Sequence, residues 1–241
     1  MFFFSKCLLF LATTAIGINF LSASARALVS VTPLPRLTDD EFNNLIRTGQ
    51  FSELFVTESR IGNNATNGTQ EISVQDPRNS LLPVTQGQRQ WTSDQPVNFR
   101  LEYTGSTVNY TVGDQLLSSN AFSGSASDIF LRTRAENNSR LNLMNLLLNG
   151  QSLPSLMSSG ANISDIDYLR LGNLPSSFTL TGDSTFSWLG EPPRNSQLAY
   201  QIKVGNSASR SVPEPAKLAG LLLIGILGIG FGKRQKEIVK P

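Results

Sequence analysis

The 241-residue chain contains no histidine and a single cysteine, Cys7. Without histidine, it cannot build a Ser-His-Asp or Cys-His catalytic site, a zinc site with histidine ligands, or a histidine pH switch. Because Cys7 lies near the N-terminus, the region after residue 27 has no cysteine and cannot form an internal disulfide. These absences exclude the commonest hydrolase and zinc chemistries before any motif is considered.

Lysine is scarce between residues 28 and 211, where 12 of the 13 basic residues are arginine. The same region has 16 acidic residues, so its net charge is −3 although the full chain carries +2. A nucleic-acid-binding domain needs a basic surface, so we expect no nucleic-acid partner. At about 185 residues, the region is long enough for one domain with a hydrophobic core.

Residues 1–27 have the layout of a secretory signal peptide. Lys6 supplies a positive charge, the apolar stretch 7–21 follows, and small residues end the segment. Ala23 and Ala25, as well as Ala25 and Ala27, are small residues at the spacing that a signal peptidase requires, and we favour cleavage after Ala27. An uncleaved N-terminal anchor is the alternative.

The C-terminal segment combines a short polar motif, an apolar run and a basic cluster. The motif is Val212, Pro213, Glu214 and Pro215. Its prolines favour an extended backbone, so a helix should begin after them. The uncharged stretch 218–232 would form a helix of about 22 Å, short against a hydrocarbon core of about 30 Å. Lys233, Arg234 and Lys236 follow and predict a cytoplasmic C-terminus.

This order of motif, apolar segment and basic cluster resembles the PEP-CTERM sorting signal of bacterial envelope proteins. The resemblance implies that residues 212–236 are a sorting signal, and that a membrane protease-transpeptidase of the exosortase type reads 212–215. It also implies that the chain is held transiently in the inner membrane and then reaches the cell surface or extracellular matrix. A permanent single-pass anchor, as in a surface adhesin, is the alternative.

Short alternating segments dominate the region between the two signals. Thr38 and Glu41 form a capping-box pattern, which predicts a short amphipathic helix up to about Arg47 within an N-terminal segment of residues 28–50. Residues 97–104 and 108–112 alternate apolar and polar side chains, which is typical of a β-hairpin. Further strands are predicted at 51–61, 70–74, 115–118, 128–134, 140–148, 168–171, 178–181, 184–188 and 198–204, and a loop at 76–88.

These strands predict a mainly β fold, an antiparallel, jelly-roll-like β-sandwich over residues 51–204 with one short helix before it. A signal peptide and a C-terminal transmembrane helix would flank it, and small residues at 205–211 suggest a linker. Residues 141–148 also fit a helical period, but Asn142, Asn145 and Asn149 favour a strand.

The sandwich resembles the jelly-roll domains of bacterial surface proteins described as choice-of-anchor domains, most clearly over 51–64, 99–112 and 195–204. The resemblance implies a non-enzymatic surface or matrix protein that binds exopolysaccharide or contributes to a biofilm. Trp91 is the first candidate for stacking on a sugar, ahead of Trp188 and Tyr110, since Tyr110 is in phase with the buried face of its strand.

Two arginines and two aspartates form further candidate sites. Arg132 and Arg134 are two positions apart on a predicted strand, so both guanidinium groups share one face and could bind an acidic polysaccharide. Pairing with Glu58 or Glu136 on a solvated face is the alternative. Asp165 and Asp167 alternate in a predicted loop, where carboxylate oxygens suit calcium, with Asp183 nearby. Solvated loop acids are the alternative, and no other cofactor is indicated.

A secreted glycoside hydrolase on a similar sandwich is the competing function. It would need two carboxylates facing each other across a cleft. The strand-borne candidates are Glu53, Glu58, Glu102 and Asp128. Because no local pattern pairs them, the sequence favours a protein that is not an enzyme.

Overall fold

The computed structural model describes residues 28–62, 71–161 and 163–208. These residues form fourteen strands and one α-helix, and the strands build two antiparallel sheets. The predicted mainly β fold with one short helix is therefore confirmed. The predicted signal peptide with Ala25 and Ala27, and the whole predicted sorting signal at 212–236, lie outside the described residues. Within the described part of the chain, no helix is both long and apolar enough to cross a membrane.

The first sheet has seven strands. Their spatial order is β1 (Ser30–Leu34), β12 (Asp165–Gly172), β8 (Asp128–Ala135), β14 (Leu198–Ser207), β2 (Phe51–Ile61), β3 (Ile72–Asp76) and β4 (Leu82–Gly87).

The second sheet also has seven strands. Their order is β10 (Gln151–Ser152), β9 (Ser139–Leu148), β13 (Phe178–Trp188), β5 (Pro96–Tyr103), β6 (Val108–Val112) and β7 (Gln115–Ser119), and β11 (Leu156–Gly160) also pairs with β9.

Alternating side chains explain how the two sheets pack. In β5, every second residue from Val97 to Tyr103 is buried while the residues between them are exposed or partly exposed. The predicted hairpin of β5 and β6 is present, with Tyr103 opposite Val108. The inner faces meet in one core, where the rings of Phe99 and Tyr200 lie 5.3 Å apart across the sheets. Tyr110 is fully buried there, as its phase predicts.

A β-bulge explains why residues 141–148 fit two periods. Strand β9 shifts register against β13 around Asn145, which has a left-handed backbone (φ 52°). The extra residue changes which side chains point inward. Leu141 and Leu143 are buried before the bulge, and Leu146 and Leu148 after it. The segment is a strand, and its mixed spacing comes from the bulge.

The helix α1 (Asp39–Arg47) begins at the predicted capping box. The backbone N–H of Glu41 donates to Thr38 Oγ1 (3.2 Å), and the N–H of Thr38 donates to Glu41 Oε2 (2.9 Å). Phe42, the buried residue of α1, packs on the outer face of the first sheet. Its ring contacts those of Phe51, Phe130 and Tyr168. This aromatic cluster holds the helix outside the main core.

Two predicted connecting segments differ from the structure. The predicted loop 76–88 is wrong, because it contains a 3₁₀ turn at Pro77–Asn79 and strand β4. Pro83 argues against a strand in the sequence, because proline has no backbone N–H. A proline is nevertheless tolerated in an edge strand, where not every backbone N–H has to donate a hydrogen bond to a neighbouring strand. The predicted linker 205–211 is wrong at its start, because β14 continues to Ser207.

The N-terminal segment also joins the sheet, since β1 pairs with β12 along its whole length. Its prolines obscure the strand pattern, but β1 lies at the sheet edge, where prolines are tolerated. The sandwich therefore extends past both ends of the predicted range 51–204.

Candidate functional site

Two tryptophans line one pocket at the end of the sandwich where β2 and β13 finish. The pocket has a volume of ≈ 370 Å³. We call it the tryptophan pocket, and its main polar and aromatic lining residues are Glu71, Arg89, Trp91, Trp188, Glu191 and Arg194. These residues come from three separate segments of the chain, so no single sequence motif contains them.

Trp91, the predicted sugar contact, is a wall of this pocket. Its indole N–H donates to the backbone carbonyl of Arg60 (2.9 Å). Its ring centroid lies 4.1 Å from that of Phe186, and the Arg89 guanidinium lies 5.1 Å from it. The ring of Trp91 therefore already has close aromatic and cationic contacts within the protein. These contacts fix the position of Trp91, and they leave less of its ring for a ligand.

Trp188 is placed differently, because it lines two pockets at once. The second pocket, of ≈ 350 Å³, also contains Asp94, Arg140 and Leu189. The backbone of Trp188 is fixed by Ser93, whose hydroxyl accepts from the Trp188 N–H (3.0 Å) and donates to its carbonyl (3.2 Å). Trp188 is thus a partly exposed residue that packs against the core and lines both pockets. Sequence reasoning ranked it below Trp91.

Glu71 places a buried carboxyl group in the tryptophan pocket. Burial raises the pKa of Glu71 to about 7, although a hydrogen bond from Gly62 and the charge of Arg60 act to lower it. The Gly62 N–H donates to Glu71 Oε2 over 2.6 Å. Near neutral pH, both the protonated and the ionised carboxyl are therefore populated, so Glu71 can donate or accept a hydrogen bond.

Arg89 places a cation in the same pocket. Its Nη1 donates to the carbonyl of Val112 (3.3 Å) and lies 3.6 Å from the carboxylate of Asp114. Its Nε is buried and has no hydrogen-bond partner among the described residues. Gly113 makes room for this side chain, since a Cβ there would lie 2.6 Å from Nη1. No sequence pattern marks Arg89 or Glu71, because their burial depends on tertiary packing.

Arg132 and Arg134 lie on β8 and line a different pocket, on the outer face of the first sheet beside α1. Its volume is ≈ 220 Å³. We call it the charged groove, and the side chains that form its floor are Glu58, Arg132, Arg134, Ala199, Gln201 and Lys203. The structure thus brings Arg132 and Arg134 to one face, but it does not place Trp91 in their pocket.

The guanidinium of Arg132 is occupied by a carboxylate of the same chain. Its Nε donates to Asp39 Oδ1 (2.6 Å), its Nη2 donates to Asp39 Oδ2, and the Tyr168 hydroxyl donates to Asp39 Oδ1 (2.7 Å). Burial acts to raise the pKa of Asp39, but the hydrogen bonds and charge of Arg132 outweigh it, so the pKa lies below its usual value. Arg132 is therefore a structural counter-ion, and its fork is not open to an acidic polysaccharide.

The remaining charges of the groove are also paired. Arg134 binds Glu136, the alternative partner that the sequence suggested. Lys203 Nζ lies 3.1 Å from Glu53 and 4.9 Å from the ring centroid of Phe42. Glu58 accepts from Gln75 (2.8 Å) and Gln201 (3.0 Å) and lies 3.2 Å from Arg60. The groove is charge-balanced rather than basic.

The four carboxylates considered for hydrolysis do not face one another as an open pair. Glu53 lies 3.1 Å from Lys203, and Glu58 lies 3.2 Å from Arg60. Asp128 lies 2.6 Å from an Arg170 nitrogen. Glu102 is on the second sheet, 3.5 Å from Arg100. Each is held by a cation, and they lie on both sheets of the sandwich.

The predicted calcium ligands lie on a strand, so the predicted loop is wrong: β12 begins at Asp165. Asp165 Oδ2 accepts from the Ser159 N–H (2.6 Å). Burial and the neighbouring charge of Asp165 raise the pKa of Asp167. Asp183 is on the other sheet, where it accepts from Asn145 (2.8 Å). Among the described residues, no group of three or more acidic, cysteine or histidine side chains is placed to hold a metal ion.

Comparison with known proteins gives no match, either to a protein-family model or to a curated protein. The tryptophan pocket and the charged groove are thus the two features from which a function can be argued.

Proposed function

We propose that this chain is an exported bacterial surface or matrix protein whose β-sandwich binds glycans without cleaving them. The sequence patterns at residues 1–27 and 212–236 support export and sorting. One structural observation supports glycan binding, namely that Trp188 lines two pockets in which apolar and polar residues are mixed. The proposal includes a jelly-roll-like sandwich of the choice-of-anchor kind and an association with exopolysaccharide.

The chemistry of the tryptophan pocket suits a saccharide. A sugar ring has an apolar C–H face and a rim of hydroxyl groups, so it needs both an aromatic surface and polar partners. Trp188 supplies the surface, and Glu71 and Arg89 supply an acceptor and a donor within the pocket. Ligand pockets commonly combine apolar walls with a few placed polar groups in this way. Because Trp188 lines both pockets, the two pockets would hold successive sugar units.

Replacing Trp188 tests this site directly. Trp188→Ala should weaken binding of the host's exopolysaccharide by about 2 kcal/mol, or roughly thirtyfold, because it removes the shared ring. Trp188→Phe should keep most of the affinity, since it retains an aromatic face. Affinity electrophoresis through gels that contain the polysaccharide would measure both variants.

A matched control separates stacking from general loss of apolar surface. Leu116 is 61% exposed on β7 and lines neither pocket, so Leu116→Ala should bind as the wild type does. Circular dichroism must show that Trp188→Ala is folded. A folded Trp188→Ala protein with unchanged affinity would refute binding at the tryptophan pocket.

The raised pKa of Glu71 favours one alternative, a secreted glycoside hydrolase. A carboxyl with a pKa of about 7 can act as a general acid, and Glu191 lines the same pocket. A reducing-end assay on the same polysaccharide distinguishes the two functions. New reducing ends that appear with the wild type and disappear with Glu71→Gln would favour the hydrolase, whereas an intact polysaccharide favours the binding module.

The sorting half of the proposal rests on residues 212–215 as the substrate of an exosortase-type enzyme. Glu214→Ala and Pro215→Ala should each leave the unprocessed chain in the membrane fraction of the native host. Glu191→Ala is a matched control, because Glu191 also precedes a proline but lies outside the motif. Intact mass would show the difference. Normal processing of both motif variants would refute the proposal, and a mature wild type that keeps its basic tail would favour a permanent adhesin.

A further inference from the structure

Arg140 differs from the arginines of the charged groove because its side chain has no partner within the described part of the chain. Arg132 and Arg134 are held by the carboxylates of Asp39 and Glu136. The Arg140 guanidinium forms no ion pair, side-chain hydrogen bond or ring contact with another residue that the structure describes, and Arg140 is exposed. All five of its N–H donors are therefore open to a ligand.

Strand pairing places Arg140 on the outer face of the second sheet, between two small residues. Arg140 lies on β9, where the flanking residues Ser139 and Leu141 are buried. Directly opposite it are Ser187 on β13 and Ser159 on β11. Residues opposite each other in antiparallel strands share a face, with Cβ atoms about 5 Å apart. Because both neighbours are short, they leave room on either side of the arginine, where the second pocket of ≈ 350 Å³ lies.

The other residues of the second pocket suit a hydroxyl-rich ring. The hydroxyl groups of Ser159 and Ser187 have no hydrogen-bond partner among the described residues, so each can donate and accept. Leu189 lines the same pocket and is 81% exposed, which offers an apolar surface to C–H groups. The pocket thus combines one open cation, two open hydroxyl groups and an apolar side chain.

The acidic residues near Arg140 limit the charge of the ligand. Asp94 lines the same pocket, and Asp165 accepts from the backbone N–H of Ser159 (2.6 Å). Neither carboxylate is paired with Arg140, but both would repel a phosphate dianion or a densely charged polyanion. A single carboxylate, by contrast, can accept two parallel charge-assisted hydrogen bonds from one guanidinium. One carboxylate on a hydroxyl-rich ring meets these requirements.

We propose that the second pocket binds a uronic acid unit, whose carboxylate is held by the Arg140 guanidinium between Ser159 and Ser187. This inference rests on the proposed glycan-binding function and names the substrate class of the same site. The tryptophan pocket takes one sugar unit, and the second pocket selects a neighbouring unit that carries a carboxylate.

The experiment compares two probes that differ in the carboxylate alone. Oligogalacturonate and its methyl ester are titrated into the purified protein by isothermal titration calorimetry. The wild type should bind the free acid at least about tenfold more tightly than the ester, since hydrogen bonds to charged groups are the stronger ones. Arg140→Gln should remove this preference. Ser187→Leu, which fills the space beside Arg140 and keeps every charge, should reduce it.

Arg100→Gln is the matched control. Arg100 is also an outward-facing arginine of the second sheet, with a side chain 51% exposed, but it lines a different pocket. It should keep the preference for the acid. A third probe, poly-L-glutamate, has the carboxylates without the sugar hydroxyls and should bind more weakly than oligogalacturonate. Equal binding of these two acids would overturn the assignment to a sugar.

Failure of this inference can be told apart from failure of the proposed function. Trp188→Ala should weaken binding of acid and ester together and keep their ratio, whereas Arg140→Gln should change the ratio. Equal binding of acid and ester by the wild type, or an unchanged ratio in a folded Arg140→Gln protein, would overturn the role of Arg140 alone. A wild type that binds neither probe would overturn it as well, and the assay of Trp188→Ala on the host's exopolysaccharide would still decide the glycan-binding function.

Discussion

Asp39→Ala should lower the free energy of unfolding by about 3 kcal/mol, because it leaves the Arg132 guanidinium without its counter-ion. Arg132 is only 6% exposed, so water cannot replace the lost carboxylate fully. The Tyr168 hydroxyl loses its acceptor in the same step. Asp39 itself is about one-third exposed, which places the effect at the lower end of those measured for buried pairs. Urea denaturation at pH 7 would measure the loss.

The neighbouring residue supplies the control for this prediction. Asp40 is exposed in the same helical turn and has the same charge, so Asp40→Ala should cost less than about 0.5 kcal/mol through the helix dipole alone. If the two variants unfold at the same urea concentration, the Asp39–Arg132 pair contributes no stability beyond the dipole.

The pH dependence of the same variant has a defined sign. The pKa of Asp39 is lower in the folded chain than its usual value of 3.8, so the folded state binds fewer protons at acidic pH. Its contribution to stability is present above the unfolded pKa and is lost as the pH falls through the folded pKa. The difference between wild type and Asp39→Ala should therefore shrink below about pH 4.

Helices and strands were predicted well where the pattern that indicates them lies within a few residues. The capping box at Thr38 and Glu41 and the alternation in β5 and β6 depend on residues a few positions apart. The position of α1 on the sandwich was not predictable. The spacing of Phe42, Leu45 and Ile46 shows that the helix has an apolar face, but it does not show which residues that face packs against. That partner is a set of aromatic residues, Phe51, Phe130 and Tyr168, which come from three different strands.

The types of residue at the candidate site could be predicted from the sequence, but their arrangement in space could not. Tryptophan and arginine were identified as sugar contacts, but their ranking needed the structure. Arg132 lost its predicted role because Asp39, 93 positions away, reaches its guanidinium. Trp188 gained importance because it lines two pockets at the end of β13. Contacts of this kind depend on topology, which neither alternation nor composition encodes.

Gly205→Ala should destabilise the sandwich by about 3 kcal/mol, at the upper end of the range for overpacking. Gly205 follows a register shift where β14 pairs with β2, and its backbone lies against that strand. An added Cβ would lie 2.1 Å from the Ser52 carbonyl oxygen and 2.9 Å from the Phe51 ring. The strands must separate locally to accept it, and near-UV circular dichroism should report the disturbed aromatic cluster around Phe51.

Gly190→Ala is the control that separates the effect of this clash on stability from the effect that replacing a glycine usually has. Gly190 has a left-handed backbone (φ 77°), and a Cβ there would have no atom within 4 Å. Its substitution should cost only about 1 kcal/mol, through backbone strain alone. Thermal unfolding of both variants gives the comparison. If Gly205→Ala lowers the free energy of unfolding no more than Gly190→Ala does, then β14 and β2 can separate freely at Ser52. The close approach at Gly205 would then not constrain how the part of the sheet that contacts α1 is packed.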